Sequence, residues 1–326
     1  MNDLSVGIDP GLDTLEGDSW HERLDEICEE HGHVDSLTDN ITAYFIDAGK
    51  TLLVSFETLG NIKRLNSQNE PRGLSFAKHH GWSSLNIVAD DDTWFREQRM
   101  YRYFDRLTDD GFFDDFDTVI FYGVGSCGYA ACAFSVAAPN AKVLAIRPQA
   151  TLSADLAGWD RRFITNRKDD FNGRYGYAPK MLEAANAAFI VYDPLHTQDS
   201  GHASLFRRSN VALLPIRGAG ERVENMLSHY KIVETMLIEI ADNSFNPNRF
   251  SDLIRAERGG AWHLQRVVAL ARFYGHNQIA ANVCACAVEN NFGQYFKRTL
   301  ARLASNGFTP TSTDTKIQTP QEAASG

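Results

Sequence analysis

The stretch that decides the fold is Val119-Ile120-Phe121-Tyr122-Gly123-Val124-Gly125-Ser126-Cys127-Gly128-Tyr129-Ala130-Ala131. It opens with four apolar, β-branched or aromatic residues, the mark of a strand buried on both faces. Three glycines follow at short spacing, and then an alanine-rich run from Tyr129 to Ala137 reads as a helix. A chain turning sharply from a strand into a packed helix needs positive φ and room where a Cβ would clash, and glycine supplies both.

Working outward, apolar strands alternate with helical segments. Ala43–Ile46 and Thr51–Phe56 flank Ala48-Gly49-Lys50, a hairpin-type connection. Ser84–Val88, Lys142–Ile146, Ala188–Tyr192 and Val211–Leu214 complete the strand set, with helices near Leu74–His79, Met100–Leu107 and Pro179–Ala187. Near-continuous apolar strands between helices predict a doubly wound, mostly parallel sheet covered on both faces. Strand signals cease near Leu227. Residues 229–309 read as a helical appendage, in which Trp262–Tyr274 and Gln278–Asn290 form a tetratricopeptide-like hairpin. One such pair cannot stabilise itself and has to dock on the sheet domain, taken as 41–228. Residues 310–326 are polar and read as a disordered tail.

The chain has 326 residues and a net charge of −10, carried by a short head. Residues 1–40 are crowded with acids, and Arg23 is their lone Lys or Arg. Within that head Ser19 to Glu30 reads as an amphipathic helix, with Ser19 as N-cap and Glu22 completing a capping box. Residues 1–18 are expected to be loose and dispensable. A near-neutral body with an acidic head lacks the basic face of a nucleic-acid binder. No apolar run is long enough to span a membrane, and Met1-Asn2-Asp3-Leu4 is unlike a secretory signal. Five scattered cysteines suit a reducing cytoplasm. Cys284-Ala-Cys286 has no second ligand pair at zinc spacing, so no metal or other cofactor is expected.

The glycine turn admits three readings. Gly123, Gly125 and Gly128 satisfy the G-x-G-x-x-G dinucleotide fingerprint, and Arg147 at the end of the next strand would suit a 2′-phosphate. That fingerprint, however, usually opens the first βαβ unit, and here strands precede it.

The second reading is a nucleophile elbow. Phe121-Tyr122-Gly123 and Gly128-Tyr129-Ala130-Ala131 resemble, without a gap, the F-Y-G-x-S-M-G-G-Y-A-A elbow of bacterial α/β-hydrolase superfamily members. Leu53–Phe56 resembles the strand before the oxyanion loop, and Val88 to Arg96 the following strand. Pro148-Gln149 resembles the segment after the sixth strand, and Tyr192-Asp193-Pro194 the site of the triad acid. The resemblance covers roughly residues 41–228. It implies a small-molecule pocket lined by Phe56, Glu57, Thr58, Gly123, Gly125, Gly128, His202 and Glu221.

The third reading keeps the elbow and removes its chemistry. In the gap-free match the serine position is Gly125; Ser126 falls on the family's methionine and Cys127 on its glycine. The histidine position falls in Gly218-Ala219-Gly220-Glu221, on Glu221. Only Asp193 remains of the Ser…Asp…His order. Backbone donors of the oxyanion hole, from Ser126 and the Glu57-Thr58 loop, need no particular side chain. The expectation is therefore a binding or scaffolding protein with a degraded triad, taking a small ligand at the elbow or a protein through the C-terminal helices or acidic head. An active hydrolase using Ser126 or Cys127 is the alternative. Such degenerate sequences also resemble a bacterial group labelled phosphoadenosine phosphosulfate reductase. Those reductases need an S-G-G-x-D-S-like phosphate loop and a C-terminal E-C-G motif, and this chain has neither.

Among other residues, Asp90-Asp91-Asp92 reads as a solvated loop capping the turn from Thr93, or less simply as a metal or phosphate site. Arg161-Arg162 and Arg167-Lys168 form the densest basic cluster, read as a mixed solvated surface.

Overall fold

The computed structural model describes residues 11–220, 223–257 and 259–311. Eight strands form one sheet: β1 (Gly32–Thr38), β2 (Ile41–Ile46), β3 (Thr51–Thr58), β4 (Ser83–Ala89), β5 (Thr118–Val124), β6 (Lys142–Ile146), β7 (Ala187–Tyr192) and β8 (Val211–Pro215). Their spatial order is β1-β2-β4-β3-β5-β6-β7-β8. β2 runs antiparallel to both its neighbours, and every pairing from β4 to β8 is parallel.

The expected hairpin between β2 and β3 does not exist. β4 lies between them, and its Asn86 faces Tyr44 on one side and Ser55 on the other. The cause is visible in β3, where Leu52 to Phe56 are all buried. A strand buried on both faces belongs in the centre of a covered parallel sheet, not in an edge hairpin. The connection Ala48-Gly49 crosses the end of β4 and is tied there, its two N–H groups donating to Ser83 Oγ at 2.9 and 3.0 Å.

Alternation along the strands builds two cores. Leu52, Val54 and Phe56 of β3 and Phe121 of β5 face one layer, which the helices Gln98–Asp109 and Ser126–Phe134 cover. Leu53 of β3 and Ile120 and Tyr122 of β5 face the other, covered by the helices Ile232–Ala241 and Pro247–Ala256. The helices beginning at Ile232 therefore complete the sheet's own core. Three later helices, Ala261–Phe273, Asn277–Glu289 and Gln294–Ser305, bury a separate cluster around Val268, Cys284 and Phe296. The first two lie where the helical hairpin was expected.

At the other end, the sheet starts earlier than the strand pattern suggests, since β1 follows directly on the helix Asp18–His31. Ser19 does not cap that helix: Gly17 occupies the N-cap with φ 55°, and Ser19 Oγ donates to the Glu16 carbonyl at 2.9 Å. Residues 11–18 are not loose either. Leu12 is buried in a cluster with Trp20 and Leu24, and Asn69 Nδ2 donates to the carbonyls of Leu12 (3.2 Å) and Leu15 (3.0 Å). Residues 1–10 and the expected disordered tail from 312 onward lie outside the described residues.

Candidate functional site at the strand-to-helix elbow

β5 ends at Val124 and the helix Ser126–Phe134 begins two residues later. Gly125 makes the corner with φ 61° and ψ −124°, a conformation that costs an L residue of order 1–3 kcal/mol. Its N–H donates to the Ile146 carbonyl of β6 at 2.9 Å. A Cβ added to Gly125 would meet no atom within 4 Å, whereas one at Gly123 would collide with the Cys127 carbonyl. Gly123 is thus required for the close strand–helix approach. Gly125 occupies the strained corner with open space above it, the place where an elbow holds its nucleophile.

The neighbouring side chains turn elsewhere. Ser126 Oγ donates to the carboxylate of Asp92, which follows β4. Burial raises the Asp92 carboxyl, with the Ser126 hydrogen bond opposing and the Asp91 charge adding to the rise. Asp92 is exposed at the loop surface, as the sequence suggested, while its carboxylate turns in to accept from Ser126. Cys127 is buried, and burial first, then the charges of Asp92 and Glu57, push its thiol well above the ordinary value. A thiol held protonated is a poor nucleophile.

Glu57 and Thr58 close β3. Glu57 accepts from Arg72 N (2.7 Å) and Ser55 Oγ (3.0 Å). Burial still raises its carboxyl against the Arg72 charge and these two bonds. Thr58 Oγ1 caps the helix Leu59–Leu65 by accepting from Asn61 N at 3.2 Å. The Phe56 ring stacks with Phe104 and Phe134 at 5.9 and 5.6 Å in the core. Gly128 fits against the turn, where a Cβ would come within 3.1 Å of the Gly123 carbonyl oxygen.

Asp193, at the triad-acid position after β7, is buried and committed to backbone. Its carboxylate accepts from Leu195 N (2.9 Å), Gly218 N (3.1 Å) and Gly220 N (2.6 Å). It thus holds the loop that would carry a triad histidine, rather than the histidine itself. Glu221, on the histidine position, lies outside the described residues.

His202 does not line the elbow corner. It sits in the helix Thr197–Leu205 with no exposed surface, receives Ala150 N at Nδ1 (3.1 Å) and faces Asp160 with Nε2 (3.0 Å). Since Nδ1 accepts, the ring proton is assigned to Nε2, and both nitrogens are engaged. Asp160 is held well below the usual carboxylate range: burial acts to raise it, and the bonds from His202 and Arg162 together outweigh that. Arg162 bridges on to Asp199 at 2.7 Å, so this part of the basic cluster is an internal ion network.

Arg147, the residue that would suit a 2′-phosphate, is likewise spent. It forms a two-point pair with buried Glu224 (Nε–Oε2 and Nη2–Oε1, both 3.0 Å) and lies 3.6 Å from Asp199. Arg64 meets Glu224 at 3.1 Å from the other side. The dinucleotide reading fails here, because its phosphate partner is neutralised within the chain. No spacing rule flags Arg147–Glu224, His202–Asp160 or Ser126–Asp92; only folding brings them together. Among the described residues no group of three His, Cys, Asp or Glu side chains is arranged to hold a metal ion. Nor is any described helix long and apolar enough to cross a membrane.

The chain has an α/β-hydrolase-like fold. That statement rests on the strand order, the single antiparallel strand β2 within the parallel run, and the elbow after β5. No family model matches the sequence, and no curated protein does. Among solved structures the chain is similar to a capsule O-acetyltransferase of Neisseria meningitidis serogroup A, at 8% identity and a TM-score of 0.41, over 61% of this chain and 92% of that one. It is similar to an esterase of Pyrococcus furiosus at 10% identity and a TM-score of 0.38, over 60% and 84%. A third is a fluorophosphonate-binding serine hydrolase of Staphylococcus aureus, at 12% identity and a TM-score of 0.39, over 61% and 96%.

Proposed function

We propose that this chain is a non-catalytic binding or scaffolding protein of the cytoplasm, built on an α/β-hydrolase-like fold. The observation that carries the reading is Gly125 at φ 61° and ψ −124°, a nucleophile corner without an atom to attack with. Activation of a hydroxyl needs an imidazole held by a carboxylate. Here Asp193 holds backbone, His202 holds Asp160, and Ser126 donates to a carboxylate. In a hydrolase of this logic, loss of the nucleophile costs about 10⁶ in kcat. The backbone of the elbow remains able to receive a small polar ligand, and the C-terminal helices, with Phe273, Tyr274 and Ile279 exposed, offer a surface for a protein. The resemblance to the group labelled phosphoadenosine phosphosulfate reductase adds no reductase chemistry, since neither of its motifs is present.

The test is treatment of the purified full chain with a fluorophosphonate probe and with p-nitrophenyl acetate. The expected result is neither labelling nor enzymatic turnover. Labelling mapped to Ser126, lost in Ser126→Ala together with turnover, would overturn the reading in favour of an active hydrolase.

A further inference from the structure

At the opposite end of the sheet from the elbow, a cavity of about 430 Å³ opens between the starts of β5, β6 and β7. β5 separates the two places by its whole length, roughly 20 Å at the rise of a strand. The cavity lies within the size range of small-molecule sites. Its polar wall is made by the amides of Asn140, Asn186 and Asn243 and the carboxylates of Asp114 and Asp117; Phe116 contributes an apolar face. All five of these residues are exposed at the cavity mouth, and no hydrogen bond among the described residues uses their side chains. The one cation of the lining, Lys142, is already engaged: its ammonium donates to the carbonyls of Ile240 (2.8 Å) and Ala241 (2.9 Å).

The chemistry of this wall is selective. Three amides each offer donors and an acceptor, and two carboxylates offer acceptors only. Two uncompensated carboxylates repel an anion. A hydroxyl both donates and accepts, so a ring bearing several hydroxyls satisfies amides and carboxylates together, while its C–H face lies on Phe116. We propose that this cavity is a binding site for a neutral polyhydroxylated ring, a monosaccharide or the end unit of a glycan. It does not depend on the state of the elbow.

Two of the amides can be removed without disturbing their backbone. Asn140 and Asn243 adopt φ of 67° and 57°, the left-handed region that glycine enters most easily. Asn140→Gly and Asn243→Gly therefore delete the amide and keep the turn. The experiment is saturation-transfer NMR and titration of the full chain with D-glucose, D-galactose and N-acetyl-D-glucosamine, with spermidine as the cationic control. Expected is binding of at least one sugar, weakened up to about tenfold by each glycine variant, the scale of one lost hydrogen bond, with melting unchanged. Asn186→Ala, on an exposed residue, provides a third variant of the same prediction. Silence of all three sugars, binding indifferent to all three variants, or binding of spermidine alone would each overturn the proposal.

Discussion

The carboxylate of Asp193 accepts the backbone N–H of Gly220 at 2.6 Å and that of Gly218 at 3.1 Å. The loop between β8 and the following helix is thus held from beneath by a buried charge. Removing that charge leaves two loop N–H groups, and that of Leu195, without their acceptor. Each unsatisfied buried donor costs about 1–3 kcal/mol. Asp193→Ala should therefore lower stability by about 2 kcal/mol or more, some 4–8 °C in melting temperature for a domain of this class. Asp193→Asn keeps one acceptor oxygen and should fall between. Calorimetry of the three proteins checks the order, and an Asp193→Ala protein as stable as the parent would refute the loop-holding role.

Gly125 adopts without cost a corner that would strain an L residue. Gly125→Ser finds space for Cβ, and its penalty is conformational, about 1–2 kcal/mol. The new hydroxyl occupies the nucleophile corner, but the Asp193 carboxylate is committed to backbone and the His202 imidazole to Ala150 N and Asp160. The variant should fold, melt a few degrees lower, and hydrolyse p-nitrophenyl acetate no faster than the parent. A burst of nitrophenol in stopped flow would reveal a base that the described residues do not show.

The elbow was legible because its signal is local: an apolar strand, three glycines and an alanine-rich helix occupy adjacent residues. The central strands were legible because burial on both faces leaves an uninterrupted apolar run, as in Leu52 to Phe56. Pairing was not. Nothing in Ile41–Phe56 shows that Asn86 will enter between Tyr44 and Ser55. β1 was hidden for a related reason. Only Leu37 and Thr38 of its residues are buried, so the run Gly32–Thr38 looks like solvated chain. The buried pairs Arg147–Glu224 and His202–Asp160 join residues 77 and 42 positions apart, and no periodicity spans such intervals.

Glu57 provides a pH test. Its carboxyl is raised by burial, so the folded state holds the proton more tightly than the unfolded chain. A raised carboxyl contributes stability that is complete below the unfolded value, about 4.3, and is lost as pH rises through the folded value. Glu57→Gln is neutral at all pH and retains an oxygen for Arg72 N and Ser55 Oγ. It should raise the melting temperature at pH 8 and leave it nearly unchanged at pH 4. Melting curves across that range check the sign; a variant less stable at pH 8 than at pH 4, relative to the parent, would show that Arg72 outweighs desolvation.

Arg147 and Glu224 form a two-point ion pair between the end of β6 and the helix that follows the Gly218–Gly220 loop. Glu224 is 2% exposed, so its charge depends on its partners. Arg147→Ala removes both hydrogen bonds and leaves Arg64 alone against a buried carboxylate. Breaking one side of a buried pair costs about 3–5 kcal/mol, most of it the penalty of the stranded charge. Because Arg64 remains, the lower end of that range is expected. Replacing both partners removes the stranded charge, so Arg147→Met with Glu224→Met should recover most of the loss. Urea unfolding of the two single variants and the double closes the cycle. A double variant no more stable than Arg147→Ala would mean that the pair sustains the loop through geometry that methionine cannot reproduce.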